Sequence, residues 1–361
     1  MKLCGFALFA LSLTNGWAQT NFDFTPVESH VGNWVQRGYY PGAAVLIAKD
    51  NQVCYEKCFG SYQPDTEVFI ASAGKWLAAA TLMTLVDEGK LSLDDHPSEF
   101  LPEFRGDAKD AATLRQMLAH TSGYPAYQPT GAPTDNYQTL AESVKQLLPL
   151  PPSFKAGERF DYGGLAMQVA GRMAEVATGK DWETLFQERI AKPCRMARTH
   201  FTPVDSGEGH SPMLGGGARS TMRDYANFLA MIFNDGRFDG QQVLSVKAIR
   251  EMQADQLRGA KLRPDAKEFV ERVRGNTHTS IYGLGEWREE LDAAGNATLI
   301  SSPSWAGAYP WIDKKAGVYG VIIAHIDVTK PNPEKFSGFY SSPELAELTR
   351  AIVSKPPKSS K

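Results

Sequence analysis

Ile70-Ala71-Ser72-Ala73-Gly74-Lys75, running on through Trp76-Leu77-Ala78-Ala79-Ala80 to Gly89, is the stretch on which the reading of this chain turns. Ala71 to Glu88 is apolar and helix-forming, and Gly89 supplies a C-terminal stop. Ser72 and Lys75 stand three apart at the start of that helix, so their side chains share one face and can touch. A serine becomes a nucleophile when a neighbouring base takes its proton, and a lysine is that base only when neutral. Burial and the positive end of the helix dipole both disfavour the charged lysine. The start of a helix also leaves backbone N–H groups free, that of Ser72 included, to bind an oxyanion. The plainer alternative is a serine helix cap beside an exposed lysine. Spacing alone does not choose, because about one S-x-x-K match arises by chance in a chain this long.

Outward from this helix, Ala43 to Ile47 and Val53 to Phe59 are β-rich runs joined by Lys49-Asp50-Asn51, which predicts a hairpin. Val27 to Gln36 has helical period, and Pro41-Gly42 breaks it. Downstream, helical spacing recurs at Thr113–Leu118, Thr139–Leu148, Leu165–Ala177, Trp182–Ile190, Met222–Phe233 and Ser245–Ala254. Strand patterns return at Ile281–Trp287, Ala297–Ser301 and Val318–Ile326, and Pro343 to Val353 reads as a closing helix. The predicted fold class is α/β, in the α+β sense. An antiparallel sheet built from both ends of the chain is flanked by helices, and a mostly helical lobe is inserted between its halves. The expected boundaries are 19–89 and 275–353 for the sheet lobe, 90–274 for the inserted lobe, and 354–361 for a polar, flexible tail.

The chain has 361 residues, 42% hydrophobic and 22% charged, with a net charge of -3, which suits a globular protein and offers no basic surface for nucleic acid. Lys2 precedes the uncharged run Leu3 to Leu13, and Gly16-Trp17-Ala18 provides small residues for a peptidase. This predicts a signal peptide cleaved near Ala18 and export to the periplasm or the extracellular space. The run is too short for a span of about 20 residues, and no later segment is apolar enough for one. Of the cysteines, Cys54, Cys58 and Cys194 lie beyond the signal. Cys54 and Cys58 on one strand would stand about 13 Å apart, too far to bond, so buried or half-buried thiols are expected. Seven histidines are scattered singly without metal-ligand spacing. Gly215-Gly216-Gly217 lacks a phosphate-binding lysine and reads as a turn. No metal or cofactor is expected. Tyr162, in Phe160-Asp161-Tyr162-Gly163-Gly164, could relay protons beside a lysine or simply pack as a loop aromatic.

The order of these segments resembles the serine β-lactamase and penicillin-binding-protein superfamily, closest to the class C β-lactamase-related hydrolases and esterases. Ile70 to Lys75 resembles the nucleophile motif, and Leu118-Ala119-His120-Thr121-Ser122-Gly123 the family's L-x-H-T-S-G loop. Gly157 to Tyr162 with the helix after it resembles G-x-x-F-x-Y-S-N. Ala191-Lys192-Pro193 with Met196 and Thr199, and Gly216-Gly217 through Asp224, resemble two further segments. Two motifs depart from the pattern. Tyr162-Gly163-Gly164 lacks the asparagine of Y-x-N. The third motif, usually K-T-G or H-x-G, is replaced by Ser302-Pro303-Ser304, or in another register by Trp305-Ala306-Gly307, and either way its cation is gone.

The resemblance implies acyl transfer by Ser72, with Lys75 and Tyr162 moving the proton and the N–H groups of Ser72 and Trp305 holding the oxyanion. Ser302 and Ser304 are then expected substrate contacts, and Tyr124, Trp305 and Tyr309 could line an apolar acyl or alcohol pocket or simply pack. A small ester, amide or peptide is the expected partner. Loss of the cation favours an ester or amide over a penicillin or a D-Ala peptide. A β-lactamase or D-Ala-D-Ala carboxypeptidase or aminopeptidase stays open, as does a catalytically weak binding protein that keeps the fold. Lys75 and Tyr162 are equal contenders for the base.

Overall fold

The computed structural model describes residues 22–128, 139–201, 212–275, 277–327, 332 and 334–355. The expected signal segment, residues 1–18, and residues 356–361 of the expected tail lie outside these.

Helix α1 (Thr25–Gln36) leads into strands β1 (Gly42–Lys49) and β2 (Gln52–Gly60), the predicted hairpin. Asp50 and Asn51 turn it with positive φ, a conformation these two residue types tolerate. Helix α2 (Gly74–Asp87) follows. The next long helices are α3 (Leu165–Thr178) and α4 (Met222–Phe233). The chain then returns to the sheet through β3 (Trp287–Leu291), β4 (Ala297–Ser301), β5 (Tyr309–Asp313) and β6 (Val318–Ala324), and α5 (Glu344–Val353) closes it.

The six strands form one antiparallel sheet in the order β2-β1-β6-β5-β4-β3. The sheet joins the two ends of the chain where β1 meets β6, with Ala43 opposite Ala324 and Lys49 opposite Val318. Side chains of β1 alternate strictly. Ala43, Val45 and Ile47 pack under α1 and α5 with Val27, Val31, Leu345 and Ile352. Ala44, Leu46 and Ala48 pack on the other face with Trp76, Leu77 and Phe228 of α2 and α4. A strand covered on both faces needs apolar residues at every position, which is why 43–48 reads as a continuous run. Helix α2 is surrounded in the same way, with twelve of its fourteen residues buried.

Two expectations are corrected. Residues 281–286 are not part of a regular strand, because Gly285 takes φ +78 and the ladder starts only at Trp287. A Cβ at Gly285 would lie 2.7 Å from the Lys75 carbonyl, so this turn presses directly on the start of α2. Strand β5 has no counterpart among the predicted strands, and Pro310 in its middle argues against one. Pro310 sits where its carbonyl accepts the Ser302 N–H at 3.2 Å and it has no N–H to return. The β4–β5 ladder therefore loses one bond there, resumes where the Ser304 N–H donates to the Ala308 carbonyl at 2.9 Å, and closes in a turn over 304–308.

Cys54 and Cys58 are half-buried and Cys194 is buried, all as free thiols. Among the described residues no helix is long and apolar enough to cross a membrane.

Candidate active site

The chain entering Ser72 is pinned from the side. Val68–Phe69 pairs with Arg219–Ser220, and the Ile70 N–H donates to the Ala218 carbonyl at 3.0 Å. Ala71 then takes φ +45, an uncommon conformation for a residue with a Cβ, and a 3-10 turn over Ala71–Ala73 carries Ser72 into α2. Gly74 is required by close approach, since a Cβ there would stand 2.9 Å from that of Ala218. Tyr225 on α4 locks the turn by donating its hydroxyl to the Ala73 carbonyl at 2.6 Å.

Lys75 is 2% exposed, so it is not the surface lysine of the plainer reading. Its Nζ stands 3.2 Å from Ser72 Oγ and hydrogen-bonds the Gly215 carbonyl. It also lies 4.6 Å from the centre of the Tyr162 ring. Burial lowers Lys75 to about 7, and no carboxylate offsets this.

Tyr162 arrives on the loop that precedes α3. Its loop is held by the short parallel pairing of Arg159–Phe160 with Lys261–Leu262 and by the Asp161 N–H, which donates to the His120 carbonyl at 2.9 Å. The Tyr162 hydroxyl hydrogen-bonds Ser72, while burial pushes its ionisation well above the ordinary tyrosine range. Ser72, Lys75 and Tyr162 are thus brought together as the spacing and the resemblance anticipate.

Three further residues at this site were not singled out as site residues from sequence. His120, at φ +57, packs 4.6 Å from the Tyr162 ring, and its Nε2 is 3.2 Å from the Tyr282 hydroxyl. Burial first, and then the charge of Lys75, push this imidazole far below its usual value, so it stays neutral. Gly215 is the third. The glycine run is not an open cradle, because the N–H groups of Gly216 and Gly217 both turn to the Met213 carbonyl. Gly215 instead meets Gly164 backbone to backbone and gives its carbonyl to Lys75. The Gly215 carbonyl is the acceptor that Lys75 has here. A Cβ at Gly215 would fall 2.7 Å from the Gly164 Cα. Gly215→Ala is therefore expected to cost about 1–3 kcal/mol in denaturant unfolding and to slow turnover by displacing the lysine's acceptor.

The replaced third motif also reaches this place. Ser302 Oγ donates to the Ser72 carbonyl at 3.2 Å, and more weakly to that of Gly285 at 3.4 Å. Ser304 is fully buried and its Oγ accepts the Ala306 N–H at 3.0 Å, which makes it a turn residue and takes it away from the substrate side. Trp305 is 50% exposed, its ring edge-on to His325 at 6.1 Å. Neither the Ser72 nor the Trp305 N–H has a hydrogen-bond partner among the described residues.

The two tyrosines expected as pocket walls are corrected. Tyr124 is buried, stacked on Phe104, and its hydroxyl donates to the Lys109 carbonyl at 3.0 Å. Tyr309 is fully buried beside Trp311, its hydroxyl held by Glu289 at 3.0 Å and Arg274 at 3.1 Å. The alternation of β5 turns Tyr309 to the α1/α5 face, away from α2.

Comparison with known proteins gives the family and the fold. A Bacteroides dorei DSM 17855 protein, described only provisionally as a β-lactamase, has a solved structure 51% identical in sequence, with a TM-score of 0.87 over 92% of this chain and 100% of its own. EstCE1, a hydrolase with promiscuous acyltransferase activity, is 19% identical with a TM-score of 0.71 over 91% of this chain and 97% of its own, a likeness of fold alone. Protein flp of Staphylococcus aureus (strain N315) is 26% identical over 204 residues, 53% of this chain, and the match spans 41% of that longer protein. The family profile described as Beta-lactamase matches residues 27–336, and the chain therefore belongs to the Beta-lactamase family of serine hydrolases, with the serine β-lactamase and penicillin-binding-protein fold.

Proposed function

We propose that this protein is an exported esterase or amidase that works through an acyl-Ser72 intermediate on a small neutral substrate. The observation that carries the reading is the buried Lys75 amine 3.2 Å from Ser72 Oγ with no acid to hold its charge. Burial moves Lys75 and Tyr162 in directions that divide the labour. A lysine lowered to about 7 is neutral and basic in mildly alkaline solution, whereas a tyrosine pushed upward keeps its proton. Lys75 is accordingly the general base toward Ser72, and Tyr162 the acid that protonates the leaving group. The N–H groups of Ser72 and Trp305 bind the oxyanion, and water releases the acyl group. Export rests on the leader-like composition of residues 1–18.

The substrate class follows from the third segment. Ser302, Pro303 and Ser304 put no cation beside Ser72, and a charge-assisted hydrogen bond to a substrate carboxylate contributes roughly 1.5–3 kcal/mol. A penicillin or D-Ala peptide forfeits that contribution, and a neutral ester or amide never needed it. The test compares kcat/KM for p-nitrophenyl butyrate with that for a chromogenic cephalosporin. Ester turnover with the cephalosporin slower by about 10- to 100-fold is expected. Equal or better turnover of the cephalosporin would return the protein to the β-lactamases proper.

A further inference from the structure

Trp287, the first residue of β3, is 3% exposed, and its indole Nε1 is buried without a partner of full hydrogen-bond geometry among the described residues. The group beside it is Tyr162, with ring centres 5.6 Å apart. After the Ser72 hydroxyl, the indole N–H is the second side-chain group that eases ionisation of the Tyr162 hydroxyl. No closed hydrogen bond joins the two in the resting protein, although their rings are neighbours. Hydrogen bonds of this kind tighten once charge develops on the acceptor.

The surroundings make the N–H the informative part of the side chain. Trp287 packs on Phe269 at 4.6 Å and on Phe160 and Phe339 at 6.0 Å each. A 240 Å³ cavity lies along Tyr162, Phe269, Trp287 and Phe339. A phenylalanine would serve an aromatic cluster as well, and would not leave a donor unpaired at a cost of about 1–3 kcal/mol.

We propose that Trp287 is a positioning residue for leaving-group protonation, its indole N–H taking up the negative charge that develops on the Tyr162 oxygen. This rests on the acyl-transfer reading above. In the step, the Ser72 oxygen bonds the substrate carbonyl carbon while its proton passes to Lys75. The carbon–oxygen bond to the alcohol breaks, and the departing alkoxide takes the Tyr162 proton. The phenolate then recovers a proton from the Lys75 ammonium, leaving acyl-Ser72, neutral alcohol and the side chains as they began. Charge on Tyr162 is transient, and Trp287 lowers its cost only when the leaving group must be protonated. The site is therefore built for unactivated alkyl esters or amides, whose leaving groups are strongly basic.

The test uses two esters of one acid, ethyl butyrate and p-nitrophenyl butyrate. They share the acyl-enzyme, so kcat/KM isolates acylation. Trp287→Phe is expected to lose about tenfold on the ethyl ester and less than about twofold on the p-nitrophenyl ester. Phe339→Leu, which loosens the same cluster and keeps the N–H, should move both esters by one common factor. Equal losses on the two esters in Trp287→Phe, or none on either, overturn the assignment alone. If the wild-type protein turns over neither ester, the acyl-transfer reading itself falls and takes the assignment with it. Should Trp287→Phe fail to fold, indole ¹⁵N spectra of the wild-type protein and Tyr162→Phe decide the matter: one indole signal must move when its acceptor is removed, and no movement overturns the proposal.

Discussion

Ser72→Ala is expected to lower p-nitrophenyl butyrate turnover by at least about a thousandfold while leaving the fold intact. The reason is covalent. Without Oγ no acyl-enzyme forms, and the oxyanion donors and Lys75 retain only weak assistance to direct attack by water. The structural cost is small. Ser72 sits in a turn set by Ala71 and by the Tyr225 bond to the Ala73 carbonyl, and neither uses the serine side chain. The Ser302 bond goes to the Ser72 backbone carbonyl and survives the change. Removing Oγ takes away hydrogen-bond contacts to Lys75 and Tyr162, each contributing about 1 kcal/mol at most. Two measurements check this: kcat beside the wild type, and intact mass after rapid quench, which should show a butyryl adduct on the wild type and none on the variant. A variant that keeps wild-type turnover would remove Ser72 from the mechanism.

How far the sequence announces this site depends on how local each contact is. Ser72 and Lys75 are legible because three-residue helical spacing fixes their neighbourhood without tertiary information. The sheet is legible because β1 and β6 are apolar at consecutive positions, as strands covered on both faces must be. Pro310 hides β5, since nothing local says that its missing N–H costs the sheet only one bond. The site roles of Gly215, His120 and Trp287 are invisible for a different reason. Lys75 and Gly215 are 140 positions apart, and a backbone carbonyl carries no residue signature at all. Tyr124 and Tyr309 show the opposite failure. An aromatic residue near a motif does not say which face of its element it occupies, and both turned into packing with their hydroxyls already taken. Ser302 stands between these cases. Its place follows from the order of segments, but its bond to the Ser72 carbonyl is a tertiary contact between residues 230 positions apart.

Lys75→Met should be nearly inactive and yet more stable than the wild type at neutral pH. Removing a general base costs about 10²–10⁴ in rate. The stability gain comes from linkage. Lys75 falls from its ordinary value of 10.5 to about 7 on folding, so between those pH values the unfolded chain binds a proton that the folded one rejects. Folding at pH 7 therefore opposes a penalty of roughly 4–5 kcal/mol for giving up that proton. Methionine fills similar volume without that penalty. Against it stands the loss of the Gly215 contact, which leaves a buried carbonyl unpaired at about 1–3 kcal/mol. The penalty is the larger quantity, so a net gain on the order of 2 kcal/mol is expected at pH 7. The sign of its pH dependence is fixed. As pH rises toward 10.5 the unfolded lysine also loses its proton, wild-type stability climbs, and the advantage of the variant shrinks by about 3 kcal/mol by pH 9.5. Urea unfolding of both proteins at pH 7 and 9.5 measures this difference directly, because other titrating groups cancel between them. A gap that stays constant with pH would show that Lys75 keeps its charge in the folded protein, and the base would then have to be sought at Tyr162.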